Sequence, residues 1–254
     1  MADPNAKKTL YTRAAFEDLR RTQARRMAAD EELLADALDV KVRAGEYYWV
    51  HQTTWLGEPC LQVPGDLFAM QEILFRTRPR FIIECGVAWG GSTLFYSTLM
   101  QVLGGEKIIG IDIYMPDDLL ERLGSWGPLS DRLHLMQTSS TDPATVAAVS
   151  EIVGDCRDVL VILDSHHTHE HVLAELRAWS GFVGKGHYLV CGDTTIERQP
   201  PSAARPRPWG KGNNPATALA EWWKENDRFA VDADLEAKLL VTNNPGGYLR
   251  AIRD

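Results

Sequence analysis

The sequence predicts an α/β fold: a mostly parallel sheet with helices on its faces, entered through an N-terminal helical extension and closed by a reversed last strand. Three observations predict it. From residue 64 onward, short apolar runs alternate with helix-length amphipathic stretches, the rhythm of βα units. The first run passes into a helix through a glycine-containing turn, FIIECGVAWGGSTLF at residues 81–95. The chain then ends in two apolar runs, residues 238–242 and 248–252, separated by the turn Asn243-Asn244-Pro245-Gly246-Gly247, which reads as an antiparallel hairpin.

Composition bounds the function. A chain of 254 residues, 44% hydrophobic and 24% charged, is long enough for one sizeable α/β core. The net charge of -8 leaves no basic footprint for nucleic acid, so a small-molecule substrate is expected. No apolar run reaches the roughly 18 residues of a membrane span, and the first residues lack the apolar centre of a signal peptide. A cytoplasmic protein with no membrane partner is the expectation. Cys60, Cys85, Cys156 and Cys191 form no C-x-x-C pair and read as small buried hydrophobes.

In chain order, residues 13–42 place Phe16, Leu19, Met27, Leu33, Leu34 and Leu38 at roughly helical spacing among many charges. This predicts one or two amphipathic helices outside the sheet, with apolar faces suited to packing or to a homo-oligomer. Residues 47–57 (YYWVHQTTWLG) are dense in aromatics, which serve either as core or as a flap over a site. Pro64 starts the next helix, and Asp66 suits its N-terminus. The division is therefore residues 1–63, extension and flap, and residues 64–254, the sheet domain.

Within that domain, residues 81–83 open the first strand and residues 94–103 read as the helix after the glycine turn. Residues 107–113 are a second strand ending near Asp112. Leu133–Gln137 is a third, followed by Thr138-Ser139-Ser140 and a helix to residue 153 capped by Thr141 or Asp142. Val159–Leu163 and residues 186–191 are the fourth and fifth strands. Residues 197–214 then break the rhythm with four prolines, a long aperiodic loop of the kind that is functional or mobile. Its cations Arg205, Arg207 and Lys211 suit an anionic substrate such as a nucleotide diphosphate, or else only solvent. A capped helix from Asn214-Pro215 leads to residues 229–231.

In an open parallel sheet the ligand site lies beyond the carboxyl ends of the strands, so Glu84, Asp112, Asp164, His167 and Asp193 should gather on one rim. Asp164 and Asp193 could each instead cap a helix. The glycine turn reads E-x-G-x-x-x-G-G-S from Glu84 to Ser92, which departs from the dinucleotide pattern G-x-G-x-x-G. Glycines let backbone approach a ligand, and the free N–H groups of the helix start favour an anionic group.

That turn resembles motif I of class I S-adenosylmethionine (SAM) methyltransferases. Together with W-L-G-x-P-x-L-x-x-P-x-D (residues 55–66), L-D-S-H-H (163–167) and L-V-T-N-N-P-G-G-Y-L-R (240–250), it resembles the cephalosporin hydroxylase-like family of SAM-dependent O-methyltransferases, which includes macrolide and rhamnosyl sugar methyltransferases. The resemblance implies a Rossmann-like, seven-stranded, mostly parallel sheet with a reversed last strand. It implies SAM held by Glu84, Gly86, Gly90, Ser92, Asp112, Ser139 and Ser140. A divalent cation, Mg²⁺ or Ca²⁺, would be bound by Asp164 and Asp193, with His167 as general base. The acceptor it implies is a deoxysugar hydroxyl, the 3-OH of a nucleotide-activated rhamnose in antibiotic biosynthesis. Two positions depart from the family: Gly192 stands where a glutamate ligand is expected, and Gln62 where lysine is frequent. Competing readings are a nicotinamide-dependent oxidoreductase, a metal oxygenase and a non-catalytic nucleotide-binding scaffold.

Overall fold

Period-two alternation builds the centre of the molecule. The computed structural model describes residues 12–201 and 206–254. In strands β3 (Phe81–Cys85) and β6 (Val159–Leu163) every residue is buried. Phe81, Ile83, Cys85, Val159, Val161 and Leu163 point to one face of the sheet, and Ile82, Leu160 and Ile162 to the other. Helices cover both faces, as the burial of an all-parallel centre demands. The first face meets α6 (Pro143–Val153), α7 (His169–Trp179) and α8 (Pro215–Trp222) through Val149, Leu176, Trp179 and Trp222. On the second lie α3 (Pro64–Thr77) and α4 (Gly91–Leu103), through Ile73, Leu74, Phe95 and Tyr96.

With β4 (Lys107–Asp112), β5 (Leu133–Gln137), β7 (Tyr188–Cys191), β8 (Phe229–Val231) and β9 (Tyr248–Ala251), the seven strands run in the order β5-β4-β3-β6-β7-β9-β8. Only β9 is reversed, antiparallel to both β7 and β8. The seven-stranded, mostly parallel sheet with a reversed last strand is therefore present.

The hairpin partner is a correction. Residues 238–242 form no strand; β9 pairs instead with β8, Phe229 opposite Ala251 and Val231 opposite Leu249. The short helix α9 (Ala233–Glu236) follows β8, and the chain then runs beside α3, where side chains take its backbone groups. Lys41 donates to the Thr242 carbonyl at 3.0 Å and the Asn243 N–H donates to Asp66 Oδ2 at 2.8 Å. Asp66 is thus not an exposed charge at a helix start. It is fully buried, and its second oxygen accepts the Tyr248 hydroxyl at 2.9 Å.

The extension comprises α1 (Arg13–Ala28) and α2 (Glu31–Gly45), capped by Thr12 and Asp30. No residue of α1 is buried, and only Ala37 and Lys41 of α2 are. The aromatic stretch divides in two. Trp55, in the small hairpin β1 (Thr54–Trp55) and β2 (Glu58–Pro59), packs edge-on against Phe95 and donates to Thr98, whereas Tyr48, Trp49 and His51 face the cavity described below. All four cysteines are free, and among the described residues no helix is long and apolar enough to cross a membrane.

Candidate active site

The site begins where strand order reverses, between β3 and β6. Gly86 leaves β3 with φ +99°, and its N–H donates to the Ile111 carbonyl at 2.8 Å. A Cβ on Gly86 would overlap the carbonyl of Asp164, so the loops after β3 and β6 touch backbone to backbone there. Gly90 also has a positive φ, +83°, at the start of α4. A Cβ there would lie 2.9 Å from Leu119 and Leu123 of α5 (Leu119–Gly124), which assigns Gly90 to packing; it does not line the cavity.

Two strand-end acids hold this loop. Glu84 is 2% exposed, and its carboxylate accepts both Ser92 Oγ and Thr93 Oγ1 at 2.5 Å from the first turn of α4. Burial pushes its pKa up to about 7, against the two hydroxyls that pull it down. Asp112 accepts the N–H groups of Val87 and Ala88 at 2.9 and 3.0 Å on one oxygen and that of Tyr114 at 3.0 Å on the other. Asp112, Gly86 and Ser92 line a cavity of about 1020 Å³, at the top of the roughly 300–1,000 Å³ range of single-ligand pockets.

The remaining rim acids face the same cavity from β6 and β7. One ligand atom each of Asp164, His167 and Asp193 lies within 4.8 Å of the others, and His167 Nε2 is 3.2 Å from Asp193 Oδ2. Neither aspartate's carboxylate caps a helix: Thr168 is the N-cap of α7, and Asp193, left-handed at φ +55°, makes no capping bond. Asp164 Oδ2 accepts Gln62 Nε2 at 2.7 Å. Burial and the charge of Asp193 hold the Asp164 carboxyl well above the ordinary carboxylate range. Gly192 explains how close the acids come: a Cβ there would sit 2.7 Å from Asp164 Oδ1, in the space that carboxylate uses.

Two carboxylates on a cavity wall form a donor set that suits a hard divalent cation completed by water. Ligand atoms of Asp164 and Asp193 lie within 4.8 Å of each other, so the residues present fit such an ion.

The other expected site residues divide. Ser140 lines the cavity and, with Ser165, donates to one oxygen of the fully buried Glu175 at 2.5 and 2.6 Å, with His171 Nε2 3.3 Å away. Ser139 is turned to Thr141 and does not line it. Asp142 caps α6. His169 bridges to Thr217 and Glu221 of α8, a structural role, while the rings of His166 and His167 meet Trp209 edge-on at 5.2 and 4.9 Å. Burial and the neighbouring His171 and His167 depress the His166 pKa. Arg207 lies over Trp209 at 5.2 Å and lines the cavity; Lys211 is exposed and does not; Arg205 lies outside the described residues.

Sequence reasoning missed Lys41, His171, Glu175 and Trp209. Their signals are a lysine four residues after Ala37 on the inward stripe of α2, an i,i+4 His-Glu pair, and a tryptophan in an otherwise polar, proline-rich loop.

A switch-point glycine turn, acids at four strand ends and a reversed last strand define a class I methyltransferase. A model of the family described as Rhamnosyl O-methyltransferase/CmcI matches residues 47–252. The chain belongs to this family, and it is a SAM-dependent O-methyltransferase. Similar proteins include the Rhamnosyl O-methyltransferase of Mycobacterium tuberculosis (strain ATCC 25618 / H37Rv), 29% identical over 209 residues, 81% of this chain and 80% of that one. The Rhamnosyl O-methyltransferase of Mycobacterium leprae (strain TN) is 32% identical over 208 residues, 81% and 85% of the two chains. Two solved structures share the fold: "CmcI-N160 apo-structure", TM-score 0.55 at 19% identity over 80% of this chain and 78% of that one, and "cmcI-D160 Mg-SAM", 0.54 at 19% over 79% and 77%. The oxidoreductase, oxygenase and scaffold readings yield to this family.

Proposed function

We propose that the enzyme methylates a hydroxyl of a deoxysugar, the 3-OH of a nucleotide-activated rhamnose in antibiotic biosynthesis, with His167 as general base. The observation that carries this reading is the placement of His167 beside Asp193, on the cavity wall that the Gly86 turn also lines. The names of the mycobacterial relatives support a rhamnosyl acceptor. Arg207, at the proline-rich loop, supports an anionic carrier. Gly86, Val87, Ala88, Ser92, Asp112 and Ser140 are the cofactor contacts, and Glu84 acts on the turn through Ser92 and Thr93.

Bound SAM supplies an electrophilic methyl group. An alcohol is a poor nucleophile at neutral pH, so the acceptor proton must leave as the carbon–oxygen bond forms. His167 takes that proton, and Asp193 at 3.2 Å stabilises the imidazolium that results. A histidine base contributes about 10²–10⁴-fold. A divalent cation held by Asp164 and Asp193 would lower the pKa of the hydroxyl. Gln62 keeps the Asp164 carboxylate oriented.

The test is mass-spectrometric detection of a methylated sugar from SAM and TDP-rhamnose, native against His167→Ala, with and without chelator. Methyl transfer that falls at least about 100-fold in the variant supports the reading. Near-native turnover by a folded His167→Ala variant removes the base assignment.

A further inference from the structure

The inward stripe of α2 breaks the rule that sorts amphipathic helices. Val40 is 53% exposed, while its neighbour Lys41 is 6% exposed and is, with Ala37, one of the helix's two buried residues. An ammonium carries three donors, and burying a charge without partners is costly. Among the described residues Lys41 makes one hydrogen bond, to the Thr242 carbonyl, and no ion pair. It lines the same cavity as Asp193, His167 and Asn243. Burial draws its pKa down to about 8, against the opposing charges of Asp193 and then Asp66. After the Thr242 contact two donors of the ammonium remain on the cavity wall, available to an acceptor in the cavity.

The surroundings select what that acceptor is. Asp164 and Asp193 line this end of the cavity beside Lys41, so a neutral ring bearing adjacent hydroxyls, which both donates and accepts, suits it better than a phosphate, which only accepts. A carboxylate accepts from one hydroxyl while the ammonium donates to the oxygen beside it. We propose that Lys41, supplied by the N-terminal extension, binds the acceptor sugar, donating to the oxygen adjacent to the hydroxyl that is methylated, opposite Asp193. The sugar then lies toward α2 and the anionic carrier toward Arg207. This deepens the function proposed above and rests on its sugar acceptor, not on the nucleotide carrier.

The test compares native enzyme with Lys41→Met and Lys41→Gln, with TDP-rhamnose and with analogues lacking the 2- or the 4-hydroxyl. S-adenosylhomocysteine affinity is measured by calorimetry. The acceptor KM is expected to rise at least about tenfold in either folded variant, with the S-adenosylhomocysteine Kd unchanged within about twofold. One deoxy analogue should raise the native KM similarly and show no further loss in the variants, a signature that a purely structural lysine would not produce. An acceptor KM within twofold of native in a folded variant overturns the proposal, as does an equal penalty for every analogue. If the native enzyme methylates a rhamnosyl glycoside but not TDP-rhamnose, the nucleotide reading falls and the same comparison is made with the glycoside. If it methylates no sugar hydroxyl, both readings fall.

Discussion

Glu84→Gln separates the electrostatic work of the glycine loop from its packing. Glu84 is buried, and its pKa lies at about 7, whereas its ordinary value is 4.5. At about 1.36 kcal/mol per pKa unit, holding the ionised form in the fold costs about 3 kcal/mol. The folded state keeps the proton in a pH range where the unfolded chain has lost it. The stability contributed by protonated Glu84 is therefore fully present below pH 4.5 and is lost as pH rises through about 7. Glutamine never ionises and, like the protonated acid, offers Ser92 and Thr93 one acceptor oxygen and one donor group. The variant is expected to match native at pH 4 and to be more stable by about 3 kcal/mol at pH 8. Urea unfolding across that range, read as the difference between the two proteins so that other titrating groups cancel, measures it. Parallel curves would refute the buried-acid argument. Calorimetric titration of S-adenosylhomocysteine on both proteins then reports whether the charge, beyond the stability it costs, also serves the cofactor.

Gly192→Ala should lower turnover about 10–100-fold with cofactor affinity kept within about threefold, because its Cβ forces the Asp164 carboxylate off Gln62; native turnover would show that the carboxylate position is immaterial. Phe16, Leu19, Leu33 and Val40 leave apolar surface exposed on α1 and α2, so the protein should sediment as a homo-oligomer at micromolar concentration, and a monomer would remove that expectation.

The sheet was legible because its signals are local. A strand buried on both faces must be an apolar run, and a βα turn must punctuate it, so β3, β4, β5, β6 and β7 can be read from a few residues each. Residues 238–242 carry the same apolar chemistry but no strand, and what decides between the two is not local. The Thr242 carbonyl and the N–H of the next residue, Asn243, are taken by Lys41 and Asp66, 201 and 177 positions away in the chain. The same distance hid Lys41 itself. On its own helix it is one more charge among many, and only the meeting of α2 with the Thr242 segment buries it.

At the site, acids at strand ends were visible, but their division of labour was not, because it depends on what donates to each. Glu84 and Asp112 are surrounded by hydroxyl and backbone donors from the loop they organise. Asp164 and Asp193 instead line the cavity near each other, the first accepting from one glutamine and the second beside one histidine. A saturated carboxylate is a structural clamp, whereas an undersaturated pair stores a demand for positive charge. Two answers to that demand converge from different parts of the chain: the raised proton affinity of Asp164 and the ammonium of Lys41. A cation bound by Asp164 and Asp193 would compete with the first and leave the second in place. Metal removal should therefore weaken turnover more than it weakens acceptor binding, since Lys41 still holds the sugar when the ion is gone.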